Sequence, residues 1–158
     1  MTLCCVHTIT KMAPIKTSAT VAATPATIWE TCFAPMKWES WDPDLKEVKD
    51  SSGGCEEGTT CIFEMNDGTN FPIKLSNVKK NESVDFSGSG AGGMIKAVGK
   101  VVISPVDCST SKIDYSFELK GLIGSIVAFV KKKECVEGTE GGLENMVKLS
   151  EEAQKSSS

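Results

Sequence analysis

The strongest constraint on the fold is a two-residue alternation of apolar and polar side chains between Leu45 and Gly121. Successive side chains of a β-strand point to opposite faces, so this period predicts strands with one apolar and one polar face. Turn-forming residues divide the region into six segments, and a β-rich stretch over residues 15–23 precedes them. Because one-sided sheets are typically antiparallel, we expect an antiparallel sheet of seven strands.

The apolar face of the predicted sheet consists of residues spaced two apart within each segment. Its members are Cys61, Phe63, Met65, Phe71, Ile73, Leu75, Ile95, Ala97, Gly99, Val101, Ile103, Ile113, Tyr115, Phe117 and Leu119. The acidic residues Glu64, Asp85, Asp114 and Glu118 fall on the opposite face. The apolar face must be covered by other elements, and the pattern directs no pair of carboxylates toward it.

The segments outside the sheet predict helices. Thr24 and Pro25 suit the N-cap and the first position of a short helix that ends at Pro35, and residues 36–41 can form one more short turn before Asp42. Apolar residues recur at helical spacing over 123–130 and again over 143–150, which predicts a long carboxy-terminal helix. Its glycines, at positions 138, 141 and 142, disfavour a helix interior, so the sequence leaves open whether the helix is continuous, bent or broken there.

Chain length and cysteine usage limit the class of protein. A chain of 158 residues has the size of one domain, predicted over residues 14–155 between a leader at 1–13 and a tail at 156–158. Its 7 cysteines form no CxxC pair, so neither a zinc site nor a disulfide framework is indicated. Residues 1–14 lack the features of a secretory signal. We expect reduced thiols and a cytoplasmic location.

Charge and hydropathy narrow the range of partners. The formal net charge is −4, and all 17 basic residues are lysines, so the guanidinium groups typical of nucleic-acid readers are missing. The longest apolar run, over residues 122–130, is too short to cross a bilayer, which takes about 20 residues. We expect a monomer or weak dimer that uses no cofactor and binds neither metal nor nucleic acid.

Two sequence features suggest chemistry only weakly. GSGAGG, at residues 88–93, matches a dinucleotide-binding fingerprint, but an alternating segment follows where that motif requires a helix. A connection between two strands is the favoured interpretation. The single histidine, His7, lies in the predicted leader, so histidine-based catalysis is poorly supported.

The order of elements and several segments together resemble a known superfamily. VAATPATIWETCF, WESWDPDLKEVKD, GTTCIFEM, IDYSFELKG and GGLENMVKLSEEAQ are similar to segments of START-like (SRPBCC) proteins, particularly the polyketide cyclase/dehydrase-like branch. The similarity spans about residues 15–154. It implies an α+β helix-grip fold, in which a curved seven-stranded antiparallel sheet, two short helices and a long carboxy-terminal helix enclose a cavity for a small apolar molecule.

The resemblance suggests which residues would line that cavity. Trp38 and Trp41 are expected where the short helices close it, with rings inward and Asp42 in water; the alternative is that one tryptophan attaches the short helix to the sheet. The candidate ligand-binding residues are Trp29, Phe33, Trp38, Trp41, Phe63, Met65, Phe71, Ile73, Phe86, Val101, Tyr115, Phe117, Ile126 and Val130. Tyr115 and Asp42 are the weak catalytic candidates. For the Tyr115 hydroxyl, a bond to a backbone carbonyl is the favoured expectation, and orientation of a ligand carbonyl or hydroxyl is the alternative.

Three functions remain open at this point. The first is binding, with transport or sequestration, of a hydrophobic ligand such as a lipid, sterol, polyketide or aromatic metabolite. The second is a cyclase/dehydrase-type enzyme acting in the same cavity. The third is a protein-interaction module resembling a co-chaperone, which a filled interior and an exposed apolar patch would favour.

Overall fold

The computed structural model describes residues 13–157. His7 and nearly all of the predicted leader therefore lie outside the described residues. The strands are β1 (Ile15–Val21), β2 (Leu45–Lys49), β3 (Thr60–Met65), β4 (Asn70–Lys79), β5 (Ser83–Gly90), β6 (Ile95–Pro105) and β7 (Ser111–Lys120). The α-helices are α1 (Pro25–Cys32), α2 (Leu122–Val130) and α3 (Lys132–Ser156), and short 3-10 helices occupy Pro35–Ser40 and Ala91–Gly93.

The seven strands form one antiparallel sheet in the order β1-β7-β6-β5-β4-β3-β2. Strands β2 to β7 follow one another as a meander, and β1 pairs with β7 at the edge. The α+β helix-grip architecture predicted from the sequence is confirmed. Residues 88–93 run from β5 through a 3-10 turn into β6, which confirms a connection between strands.

The predicted alternation decides which side chains face the helices. Cys61, Ile103 and Ile113 are buried on the inner face, whereas the lysines at 96 and 100 are exposed on the outer face. Burial is not uniform along the strands. We define the open end of the sheet as the end where β3, β5 and β7 finish, and there the inner-face apolar side chains are only half-buried. These are Met65, Phe71, Ile95, Phe117 and Leu119.

Helix α1 begins as its sequence predicts. Thr24 has an extended backbone, and its hydroxyl oxygen accepts a hydrogen bond from the Thr27 amide at 3.3 Å. Pro25 occupies the first turn, where no intrahelical donor is needed. From the other end of the chain, the Gln154 side chain in α3 accepts from the Thr24 amide at 3.0 Å. The carboxy-terminal helix therefore holds the start of α1.

The carboxy-terminal helix breaks at Lys131 and is continuous through its glycines, which answers the question that the sequence left open. Lys131 leaves helical geometry with φ −102° and ψ 22°. Helix α2 packs on β6 and β7, whereas α3 packs on β1 and α1, so the chain must change direction between them. Helix α3 then runs unbroken through the glycine-rich stretch.

The glycines of α3 allow close approach to the loop that follows the first 3-10 helix. A Cβ atom on Gly138 would overlap the Asp44 carboxylate, whereas one on Gly142 would make an ordinary contact, 3.5 Å from the Trp41 ring. Each glycine costs about 1 kcal/mol in helix propensity compared with alanine. Sequence reasoning recognised that cost but not the carboxylate that lies against Gly138.

Gly99 makes a similar close approach within the sheet. It pairs with Phe86 across β5 and β6, and the Phe86 ring lies directly over its backbone, where any Cβ atom would overlap the ring. The ring has little room to move, because it also contacts Trp38 edge-to-face at 4.9 Å between centroids.

Replacing Gly99 with alanine is expected to lower the free energy of unfolding by about 1–3 kcal/mol, because the new methyl group displaces a packed ring. Gly54→Ala is the matched control, since nothing lies within 4 Å of a Cβ atom there and its effect is expected to stay within about 0.5 kcal/mol. Urea unfolding followed by tryptophan fluorescence measures both. Equal stabilities of the two variants would contradict this packing.

Candidate functional site

The inner face of the sheet is covered at its centre by an aromatic cluster built around Trp38. The Trp38 ring lies 5.1 Å from Trp41, 5.2 Å from Phe63 and 4.9 Å from Phe86, measured between centroids. Only 1% of Trp38 is exposed to solvent. The expected inward orientation of both tryptophans is confirmed, and their rings fill the space at the centre of the grip.

Both indole N–H groups are bonded to the end of α1. Trp38 Nε1 donates to the Phe33 carbonyl and Trp41 Nε1 donates to the Cys32 carbonyl, each at 2.9 Å. Carbonyls at a helix carboxyl end have no intrahelical partner, so these bonds complete α1. Both tryptophans therefore bond the 3-10 helix to α1, and Trp38 also contacts Phe63 and Phe86 of the sheet, so the structure includes the contact of the alternative in which one tryptophan attaches the short helix to the sheet.

Tyr115 lies at the edge of this cluster with 6% of its surface exposed. Its ring meets Trp41 edge-to-face at 6.2 Å. Burial raises the pKa of the phenol, and the charges of Asp42 and Asp44 raise it further. Among residues 13–157, no group hydrogen-bonds to the Tyr115 side chain, which differs from the expected bond to a backbone carbonyl. A buried phenol normally has a partner, so this hydroxyl is available to a bound molecule.

Asp42 lies close enough to Tyr115 to affect its titration, so the structure brings the two catalytic candidates together. The sequence placed Asp42 in water, but it is half-buried. Burial raises the pKa of its carboxyl to about 6, while its Oδ1 accepts the Asp44 amide at 3.0 Å. A carboxyl with such a pKa can exchange a proton near neutrality.

Helix α3 completes the surroundings of this pair with residues that sequence reasoning missed. Asn145 Nδ2 donates a hydrogen bond to the Trp41 carbonyl at 2.9 Å, which attaches the loop after the first 3-10 helix to α3. Burial raises the pKa of the Cys135 thiol, and the neighbouring charge of Asp44 adds to the effect. Cys135, Gly138, Gly142 and Asn145 are three or four positions apart and share one helix face. The spacing of these residues is visible in the sequence, but the loop that this helix face contacts is not.

The other predicted ligand-binding residues divide into three groups. Trp29, Phe33, Phe63, Ile73, Phe86 and Val101 are buried, and Met65, Phe71 and Phe117 are half-buried at the open end. Ile126 and Val130 are 54% and 75% exposed, so the expectation that they face the sheet is wrong. The reason is that α2 places Gly124 and Ala128 against the sheet instead.

Two open depressions, of about 330 and 380 Å³, lie on the outer face of the sheet. The first is lined by Lys16, Thr17, Ser18, Lys100, Val102, Asp114, Tyr115 and Ser116, and the second by Asp50, Thr60, Cys61, Ile62, Pro72, Ile73 and Lys74. Neither lies between the sheet and α3. Within residues 13–157, no group of three or more His, Cys, Asp or Glu side chains is arranged to hold a metal ion. No helix in that range combines the length and hydropathy needed to span a membrane.

Replacing Asp42 with asparagine is expected to change the pH dependence of stability. The folded chain holds the Asp42 proton more tightly than the unfolded chain, so this group lowers the unfolding free energy as pH rises from about 4 to about 6. Asparagine keeps an acceptor for the Asp44 amide and has no such proton. The unfolding free energy of Asp42→Asn minus that of the wild type should therefore rise between pH 4 and 6.

Urea unfolding of both proteins at several pH values measures this difference. Other carboxyls cancel in the subtraction, including Glu64, whose pKa is lowered by hydrogen bonds from Lys46 and Lys49. A difference that stays constant from pH 4 to pH 7 would show that Asp42 titrates as it does in the unfolded chain.

Comparison with known proteins identifies the fold. No family model and no curated protein matches the sequence. Among solved structures, the hypothetical protein jhp0584 of Helicobacter pylori superposes with a TM-score of 0.75 at 11% identity, covering 87% of this chain and 88% of that one. The protein XoxI of Bacillus cereus superposes with a TM-score of 0.66 at 16% identity, covering 87% of this chain and 94% of that one. The di-domain ARO/CYC StfQ of the steffimycin biosynthetic pathway superposes with a TM-score of 0.67 at 11% identity, covering 89% of this chain and 46% of StfQ. These similarities concern the fold alone, and they agree with the helix-grip architecture described above.

Proposed function

We propose that this domain binds a small hydrophobic molecule, such as a lipid, sterol, polyketide or aromatic metabolite, between the open end of the sheet and the junction of α2 and α3. Transport or sequestration of that molecule would follow from binding alone. The likeness to an ARO/CYC domain supports a ligand-binding use of the fold, and the polyketide cyclase-like branch is the family we favour.

The observation that carries the proposal is the half-buried apolar surface at the open end. At the opposite end of the inner face, Leu75, Val84 and Ile113 are fully buried. At the open end, the inner-face residues Met65, Phe71 and Phe117 keep part of their surface exposed. A ligand that covers this exposed apolar surface removes it from water. This burial favours binding by about 25 cal/mol per Å², before the costs of binding are subtracted.

Polar selectivity would come from few groups. Tyr115 comes two positions before Phe117 in β7, so the two side chains lie on the same face of the sheet. The Tyr115 hydroxyl is available to an oxygen of the ligand. Pockets of this kind combine mostly apolar walls with a small number of placed polar groups.

Native mass spectrometry of freshly purified protein is expected to show a bound small molecule that denaturation releases. Phe117→Asp should abolish this adduct, because it introduces a charge into the apolar surface. The half-buried position of Phe117 should allow the variant to fold, which circular dichroism checks. Val106→Asp, at a site that is 61% exposed in the turn after β6, is the matched control and should keep the adduct. An adduct retained by folded Phe117→Asp would place the ligand elsewhere.

A cyclase/dehydrase-type enzyme is the second candidate, favoured by the proximity of Asp42 and Tyr115. A carboxyl with a pKa of about 6 beside a buried phenol provides one proton-transfer group and one hydrogen-bond donor. On this hypothesis, Tyr115→Phe loses turnover of a linear polyketide while keeping the adduct seen by mass spectrometry. Unchanged turnover in this variant would remove Tyr115 from the mechanism.

We also infer a cytoplasmic location. The five cysteines in the described part of the chain, at positions 32, 55, 61, 108 and 135, are free thiols. Burial raises the pKa of Cys32 and of Cys61 to about 11, so these two thiols stay protonated and unreactive. Free thiols in this number suit a reducing compartment.

A further inference from the structure

The loop that follows the first 3-10 helix places two carboxylates, those of Asp42 and Asp44, at the open end of the sheet. The Asn66 amide, directly after β3, donates to the Asp44 carbonyl at 3.0 Å, and Asn66 Nδ2 donates to the Pro43 carbonyl at 2.8 Å. Because β3 finishes at the open end, these bonds hold the loop there. Asp42 is half-buried and Asp44 is more exposed, so the pair lies at the rim of the inner face.

Neither carboxylate has a basic partner. In the described part of the chain, no lysine forms an ion pair with Asp42 or Asp44. Burial raises the pKa of the Asp44 carboxyl, and the charges of Glu134 and Asp67 raise it further, against the opposing charge of Lys131. Lys131 is itself paired with Glu134 at 3.3 Å. The negative charge at this rim therefore exceeds the positive charge that opposes it.

The Tyr115 phenol lies within electrostatic range of the same two carboxylates. Only 6% of the residue is exposed, and none of the groups that the structure describes hydrogen-bonds to its hydroxyl. Burial raises the pKa of this phenol, and the charges of Asp42 and Asp44 raise it further. Buried hydroxyls are normally bonded and buried charges are normally paired. The same group of residues thus lacks both a hydrogen-bond partner and a cation.

Helix α3 presents glycines to this group of residues. A Cβ atom on Gly138 would overlap the Asp44 carboxylate, and one on Gly142 would lie 3.7 Å from Cε1 of Tyr115, next to its hydroxyl-bearing carbon. The two glycines are one helical turn apart, about 6 Å along the axis of α3. At these two positions α3 has no side chain to separate the carboxylate from the phenol.

We propose that the hydrophobic ligand carries a protonated amine, which lies against the carboxylates of Asp42 and Asp44 and donates a hydrogen bond to the Tyr115 hydroxyl oxygen. An ammonium group supplies both the missing positive charge and several hydrogen-bond donors. A carboxylate or phosphate group would instead add negative charge to a rim that is already acidic. The amine is part of the ligand proposed above, whose apolar part would cover Phe117, so this inference rests on the proposed function.

A metal ion fits this arrangement less well than an amine. Among the residues that the structure describes, no three carboxylate, imidazole or thiol groups converge as metal ligands. The half-buried apolar side chains at the open end also suit an alkyl or aromatic amine, because its apolar part would cover them.

Three probes with the same alkyl chain test the proposal: decylamine, decan-1-ol and decanoate. Each is titrated into the full chain near neutral pH, and binding is followed by tryptophan fluorescence. Decylamine is expected to bind at least about tenfold more tightly than decan-1-ol, because its charge is opposed by the two carboxylates. Decanoate should bind more weakly than the alcohol, because the same carboxylates repel it.

The carboxylates are tested by the double variant Asp42→Asn with Asp44→Asn. Its affinity for decylamine should fall by about tenfold or more, while its affinity for decan-1-ol should change by less than about twofold. The unchanged alcohol affinity also shows that the variant is folded. Asp107→Asn with Asp114→Asn is the matched control, since it removes two carboxylates from the β6–β7 turn and the outer face of β7, and it should keep the preference for the amine.

The outcomes separate this inference from the proposed function. Equal binding of decylamine and decan-1-ol would overturn the amine alone, provided that Phe117→Asp weakens the binding of decan-1-ol. A preference for decylamine that survives in the Asp42/Asp44 variant would also overturn it. If none of the three probes binds, or if folded Phe117→Asp binds decan-1-ol as the wild type does, the proposed ligand site and the amine are both wrong.

Discussion

The structure depends on how one apolar sheet face is covered by a short stretch of polar sequence. Trp38 and Trp41 supply the cover, because each ring lies on the sheet while its indole N–H is bonded to a carbonyl at the end of α1. The charged residues around them remain outside. A polar segment can therefore serve as core, since two large rings at a spacing of three positions face the same way from a 3-10 helix.

Close backbone approach is the second recurring feature. Gly99 lets the Phe86 ring lie on the sheet, and Gly138 leaves room for the Asp44 carboxylate beside α3. Asn145 of α3 also donates a hydrogen bond to the Trp41 carbonyl in this loop. The loop brings the Asp42 carboxyl near the Tyr115 phenol, and burial raises the pKa of both groups.

The two ends of the grip differ in a way that bears on function. Where α1 and the carboxyl end of α3 cover the sheet, the inner-face side chains are buried, and where α2 covers it, they are half-exposed. Helix α2 uses Gly124 and Ala128 as its contact surface, so it covers little of the sheet and leaves its own large side chains outside.

The sequence by itself determined the seven strands, their inner and outer faces, the start of α1 and the α+β class, because these depend on local periods and on caps. Two-residue alternation placed Tyr115 and Phe117 inward, and helical spacing predicted a carboxy-terminal helix. Only the tertiary structure decided that this helix breaks at Lys131, that Ile126 and Val130 are exposed, and that Asp42 lies beside Tyr115. Those outcomes depend on which distant surfaces meet: a helical period shows that a face is apolar, but not whether the sheet beneath it accepts a leucine or only a glycine.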